Sequence, residues 1–170
     1  MTSSTTSPVT IEPLTVEQIE SFHAALDAVA RERRYLTFLE APPVEQTRQF
    51  VVASLANGNP HLVARFENQV VGWCDILRQA REAHAHRGTL GMGIIREFRG
   101  RGLGRKLISA AIEQAWARGF ARIELDVHAD NERAIALYER VGFVREGRTR
   151  NAFRADGVYR DALSMAIIRE

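Results

Sequence analysis

Arg87 to Arg105 reads RGTLGMGIIREFRGRGLGR, and the order of residue types in this stretch decides the fold. Thr89 to Ile95 is a short apolar segment of strand character. Arg96 to Arg101 is a polar turn, and Gly102-Leu103-Gly104 opens a segment where Leu107, Ile108, Ala111, Ile112 and Ala115 recur at helical spacing. A strand, a glycine-rich turn and a helix start turn several unpartnered N–H groups toward one spot, which is an anion site. Arg99, Arg101 and Arg105 add forked donors that suit phosphate. The stretch predicts a pyrophosphate-binding turn; the plainer alternative is a helix entry with no ligand.

Two common phosphate motifs fail on spacing. A P-loop needs Lys and Ser or Thr directly after its last glycine, and here Arg105-Lys106-Leu107 follow. A dinucleotide fingerprint needs G-x-G-x-x-G, but Arg105 stands at the third glycine's place and Gly104 comes one residue early.

At 170 residues the chain predicts one domain with a real core. A hydrophobic content of 45% and a charged content of 26% exclude the disordered and membrane-spanning classes. The net charge is +2 with basic residues scattered and no interleaved surface aromatics, which argues against nucleic acid as a partner. No apolar run approaches the ~20 residues a membrane span needs. Residues 1–8 read as a disordered lead-in without the features of a secretory signal, ahead of a domain over residues 9–170. Cys74 is the only cysteine, so no internal disulfide forms; a reducing cytosol and a buried position are expected. His84-x-His86 lacks a third ligand, so no metal is expected.

The remaining elements follow in order. Val9 to Leu14 alternates as a first strand, and Thr15-x-x-Gln18 resembles a capping box before a helix over Val16 to Arg34. A second helix is expected from Val44 to Ala56. His61 to Phe66 and Val70 to Gln79 form an antiparallel hairpin, and Arg81 to Arg87 is a polar connection. Thr89 to Ile95 is the next strand, where Gly91 and Gly93 indicate a bulge or a close backbone approach by a ligand. The helix Leu103 to Ala117, the strand Arg122 to Val127 and a helix from Glu132 to Val141, capped by Asn131, come next. Asp156-Gly157 signals a hairpin between strands at Val144–Arg150 and Val158–Ile168. This order predicts an α/β domain with a mixed, mostly antiparallel sheet of about seven strands and about four flanking helices.

Three pieces together resemble the GCN5-related N-acetyltransferases. They are the strand with Arg99-x-x-Gly102-x-Gly104, which matches R/Q-x-x-G-x-G/A; Leu125-Asp126-Val127-x-x-x-Asn131; and Ala134-x-x-Leu137-Tyr138-x-x-x-Gly142-Phe143. The end of the chain, with Asp156-Gly157-Val158-Tyr159-Arg160-Asp161 and Met165, looks most like the branch that acetylates small molecules such as free amino acids. The resemblance implies acetyl-CoA as co-substrate. Met92, Gly93 and Ile94 would pair with its pantetheine arm, and an N–H there, that of Ile94, would polarise the thioester carbonyl. Arg99 and Gly100, Arg101, Gly102, Leu103, Gly104 and Arg105 would hold the pyrophosphate, and Asn131 would face the cofactor or serve as an N-cap.

The resemblance also makes Tyr138 the general acid for the departing thiolate; the alternative is that it only packs its helix. Asp126 stands where some relatives carry a glutamate that relays a proton through water. Glu124, His84 and Glu40 are outside candidates for the base. Arg33, Arg34 or Arg48 could hold a substrate carboxylate. The expected function is acetyl transfer to the primary amine of a small molecule in a ternary complex. Acetylation of protein N-termini or lysines is a second reading, and a non-catalytic acyl-CoA sensor is a third. A homodimer is expected from the family alone.

Overall fold

The computed structural model describes residues 8–170, so the expected lead-in, apart from Pro8, lies outside the described residues. The chain runs β1 (Thr10–Pro13), α1 (Ile19–Ala30), α2 (Val44–Ala56), β2 (His61–Phe66), β3 (Gln69–Arg78), β4 (Arg87–Ile94), α3 (Leu103–Ala117), β5 (Arg122–His128), α4 (Glu132–Val141), β6 (Val144–Ala155) and β7 (Val158–Ile168). The strands form one sheet in the order β1-β2-β3-β4-β5-β7-β6. The α/β architecture, the seven strands and the four helices agree with the sequence reading.

Every strand pair is antiparallel except β4 with β5. That parallel pair is short: Arg87, Gly88 and Thr89 face Arg122, Ile123 and Glu124, and from there the two strands part. The gap that opens beyond Thr89 positions the site. The period of two sends alternate residues to two layers. Cys74, Ile76, Leu90, Ile123 and Leu125 pack with Leu107, Ile108 and Ala111 of α3. Val63, Val70 and Trp73 pack with Ile19, Phe22, Leu26 and Val29 of α1 on the other face.

Local chemistry sets the element ends. Asn131 accepts the Ala134 N–H at 3.2 Å through Oδ1 and so caps α4, which ends at Gly142 with φ 114°. α3 begins at Gly102 with φ 77°, a left-handed conformation that glycine takes at no steric cost.

Three elements and one expected bulge differ from expectation. The helix expected over Val16 to Arg34 is a single 3-10 turn, Val16–Gln18, followed by an α-helix that stops at Ala30. Arg33 turns left-handed at φ 56°, while Glu32 and Arg33 reach out to Arg99 and Asp156. β4 starts at Arg87 rather than Thr89, because Ala121 and Arg122 donate to the His86 carbonyl and draw it alongside β5. β6 continues past Arg150 to Ala155 through an irregularity at Asn151, whose N–H donates to the Asp161 carboxylate at 2.9 Å. No bulge forms at Gly91 or Gly93, where the β3–β4 register is continuous. The Trp73 indole fills the space a Gly93 side chain would take, so packing within the chain explains that glycine.

Candidate active site

The parting of β4 from β5 opens a cleft of about 1260 Å³ between the glycine turn, α4 and the loop after α1. Its β4 wall is a strand edge. The Ile95 N–H donates to Val71 of β3 at 3.0 Å, and alternation then turns Gly93 toward β3 and Met92 and Ile94 toward the gap. Met92 and the N–H of Ile94 therefore face the cleft with no strand partner, while the Ile94 carbonyl is taken by Arg99. Gly93 lines the cleft but spends its own backbone on β3, opposite Trp73, which corrects its expected pairing.

Gly100 and Gly102 are both left-handed, at φ 76° and 77°. Among the described residues no backbone hydrogen bond uses the N–H groups of Gly100, Arg101 or Gly102, and the first such bond in α3 is Lys106 to Gly102 at 3.3 Å. Leu103, Gly104 and Arg105 thus begin a helix whose first donors have no helical partner. A row of free N–H groups at a helix start suits a pyrophosphate.

The arginines divide differently from the sequence reading. Arg99 lines the cleft, but its guanidinium is bound to both oxygens of Glu32 and to the Ile94 carbonyl at 2.8 Å, over the Tyr35 ring. Arg101 turns back to the Glu97 carbonyl at 2.9 Å and lies on Phe98, away from the cleft wall. Neither guanidinium is the free phosphate ligand expected of it. Arg105 does line the cleft. Sequence reasoning missed Arg133 and Arg140 of α4, which also line it; their spacing of seven places both on the helix face that carries Leu137.

Tyr138 sits in α4, buried against Phe143 with ring centroids 5.8 Å apart, and it lines the cleft. Burial, with a smaller contribution from Cys74, holds its phenol well above the usual tyrosine value, so it stays protonated at neutral pH. No protein hydrogen bond engages its hydroxyl among the described residues. Asn131 lines the same wall, with its oxygen spent on the cap.

Asp126 faces the opposite side of the sheet from the α3 layer, exposed, and accepts the Ser164 hydroxyl at 2.6 Å. Glu124 shares that face but is bound by Arg87 at 2.7 Å and by Arg122 at 2.8 Å. Burial raises its pKa, and the two arginines outweigh burial and hold it below the usual carboxylate range. Glu124 is thereby a paired anion and no base. His84 lies in a 3-10 turn and Glu40 is 3.5 Å from Arg31; neither lines the cleft.

Of the arginines considered for a substrate carboxylate, Arg33 is paired with Asp156 at 2.9 Å and Arg48 lies 3.8 Å from Glu20 and Glu45 on α2. Arg34 alone of the three lines the cleft. Among the described residues no group of acids, histidines and cysteines could hold a metal, and no helix is long and apolar enough to cross a membrane.

Known proteins resemble this chain in sequence and fold. The family model described as Acetyltransferase (GNAT) family matches residues 23–143. N-alpha-acetyltransferase RimI of Mycobacterium tuberculosis is 31% identical over 155 residues, covering 91% of this chain and 92% of its own. L-amino acid N-acetyltransferase AaaT of Escherichia coli is 34% identical over 114 residues, covering 66% and 70%. A solved GNAT-family acetyltransferase from Streptococcus pneumoniae superposes with a TM-score of 0.88 at 25% identity over 95% of this chain and all of its own. By this family match and this similarity the chain belongs to the GNAT family of acetyl-CoA-dependent N-acetyltransferases.

Proposed function

We propose that this enzyme acetylates the primary amine of a small molecule, an amino acid or an amino-acid-like compound. The observation that carries the reading is the Arg33–Asp156 pair at 2.9 Å, which joins the loop after α1 to the β6–β7 turn across 123 positions. That tie holds the loop after α1, whose Arg34, Tyr35, Leu36 and Thr37 line the cleft, against the β6–β7 turn. A cleft walled by that loop suits a small amine better than a protein surface, and Arg34 in the wall suits a carboxylate.

The donor's shape agrees with the residues present. The free N–H groups from Gly100 to Arg105 would take its pyrophosphate, with Arg105, Arg133 and Arg140 adding charge. The free edge of Met92 and the Ile94 N–H would take its amide arm, and Asn131 borders the same path. Bound acetyl-CoA supplies an activated acyl carbon and a thiolate leaving group. The Ile94 N–H polarises the carbonyl. Tyr138, kept protonated by burial, delivers a proton to sulfur. Asp126 with Ser164 anchors water or the incoming ammonium on the acceptor side.

A second reading, acetylation of protein N-termini, draws support from the similarity to RimI. Thiol release from acetyl-CoA with a panel of L-amino acids, and with peptides beginning in alanine or serine, separates the two. Turnover of free amino acids supports the small-molecule reading, and turnover of peptides alone replaces it. The reading includes a cytosolic location, in keeping with the buried free thiol of Cys74, and a homodimer, which light scattering tests.

A further inference from the structure

Among the described residues Asp75 is the only buried carboxyl. It lies in β3 opposite His61 of β2 and Gly91 of β4, so all three point to the α1 side of the sheet. That is also the side of Trp73, two residues before it in β3. Gly91 lines the cleft and Asp75 lies just behind it. A methyl group at Gly91 would stand 3.2 Å from Asp75 Oδ1 and would meet nothing within 4 Å except that carboxyl. The missing side chain is a methyl-sized opening between the cleft and the acid.

The groups around Asp75 carry no compensating charge. His61 on β2 is pushed down to about 4 by burial and is neutral at pH 7. Next to Gly91 on that face of β4 stands Thr89, and beyond it on β5 Glu124 is consumed by Arg87 and Arg122. From α1, Phe22 packs edge-on against both His61 and Trp73. Cys74 faces the α3 layer. Burial therefore dominates and pushes the Asp75 carboxyl up to about 7, its own backbone N–H working weakly the other way. A group that exchanges its proton near neutrality, beside the chamber for an amine, has the properties of a general base.

We propose that Asp75 takes the proton of the acceptor's ammonium group, through one water seated in the Gly91 opening. The inference rests on the acetyltransferase reading. The ammonium N–H bond breaks with its electron pair left on nitrogen, its proton passes to the water, and the water passes one of its own to Asp75 Oδ1. The freed pair forms the C–N bond at the acyl carbon while the C–S bond breaks. Tyr138 gives its phenolic proton to the thiolate, and the resulting phenolate takes the second proton from nitrogen. Asp75 returns its proton to solvent through the same opening, so one proton is released per acetyl group moved.

The test compares wild type, Asp75→Asn, Gly91→Ala and Asp126→Asn, with L-alanine, L-methionine and L-alaninamide as acceptors. Carbon NMR of the aspartate carboxyls reads the Asp75 titration without turnover, and calorimetry reads acetyl-CoA binding. We expect a carboxyl titrating near neutrality in wild type that is missing in Asp75→Asn. We also expect kcat/KM for Asp75→Asn to fall about 100-fold with its acidic limb lost, the lower end for general-base removal, while acetyl-CoA binding is unchanged. Gly91→Ala keeps the aspartate and closes the opening, so it loses rate in the same way. The inference is overturned if Asp75 titrates in the ordinary carboxylate range, if Asp75→Asn keeps rate and limb, or if Asp126→Asn alone removes the limb. A wild type that binds acetyl-CoA yet releases thiol with no amine, peptides included, sinks the acetyltransferase reading itself and the base role with it.

Discussion

Arg99 and Glu32 meet in a forked ion pair, with Nη1 to Oε2 at 3.0 Å, that ties the glycine turn to the chain leaving α1. Both side chains are mostly buried, at 22% and 15% exposed, and the same arginine holds the Ile94 carbonyl. One guanidinium thus connects three walls of the cleft: the glycine turn, the β4 edge and the loop after α1.

Glu32→Gln keeps the shape and removes the charge. Arg99 is then free to swing toward the phosphates, so acetyl-CoA affinity holds or tightens, while the loop after α1 loosens. The acceptor KM is expected to rise by about tenfold, the effect of ~1.4 kcal/mol. Calorimetry and steady-state kinetics read the two separately. A weaker acetyl-CoA complex with an unchanged acceptor KM would show that the pair serves the turn alone.

His61 and Asp75 face each other across β2 and β3 with shifts that oppose in their effect on stability. His61 is depressed from 6.5 to about 4, so its contribution is full above pH 6.5 and is lost as pH falls toward 4. Asp75 is raised from 3.8 to about 7, so its contribution is full below 3.8 and is lost as pH rises toward 7. At 1.36 kcal/mol per pKa unit His61 is worth about 3 kcal/mol and Asp75 about 4 kcal/mol, and over pH 4 to 6.5 their slopes nearly cancel. Relative to wild type, His61→Gln should lose stability as pH rises through that window. Asp75→Asn should gain it. Urea melts at three pH values measure both slopes, and two slopes of the same sign would refute the assignment.

The order of strands and helices was legible because hydrophobic period and turn chemistry act locally, as in Asn131 before α4 and Asp156-Gly157 between β6 and β7. The site was legible where the backbone does the work: the left-handed glycines at 100 and 102 and the edge of β4. It was illegible where a side chain had to choose a distant partner. Arg99 and Arg101 look like phosphate ligands by position, and only the folded chain brings Glu32 to one and the Glu97 carbonyl and Phe98 to the other. Gly93 looked like room for a ligand until Trp73 filled it. Asp75 reads as one polar residue in an apolar strand, and its burial behind Gly91 depends on the register of three strands.

Tyr138→Phe removes one oxygen and leaves the packing on Phe143. Loss of a proton donor predicts kcat reduced by about 100-fold or more, with acetyl-CoA binding unchanged. Stability should hold, because the hydroxyl has no protein partner to lose and opens on the cleft. A variant that binds and turns over normally would show that Tyr138 only packs its helix. A wild type that binds acetyl-CoA yet acetylates no amine, free or in peptides, would favour the sensor reading.

The two glycines at the start of α3 should respond differently to alanine. At Gly102 nothing lies within 4 Å of an added methyl, so the whole cost is conformational: φ 77° is left-handed, and alanine there costs about 1 kcal/mol or more. The turn relieves that strain by rotating, which turns its N–H groups off the pyrophosphate, and acetyl-CoA binding should weaken at least about tenfold for ~1.4 kcal/mol. Gly104 is already helical. A methyl there stands 3.0 Å from Leu137 Cδ2, the far end of a side chain that can move, and alanine gains about 1 kcal/mol of helix propensity over glycine. Gly104→Ala should therefore leave both the melting temperature and acetyl-CoA affinity near wild type. Equal losses of affinity in the two variants would mean that close contact of α3 with α4, and not the left-handed turn, shapes the donor site.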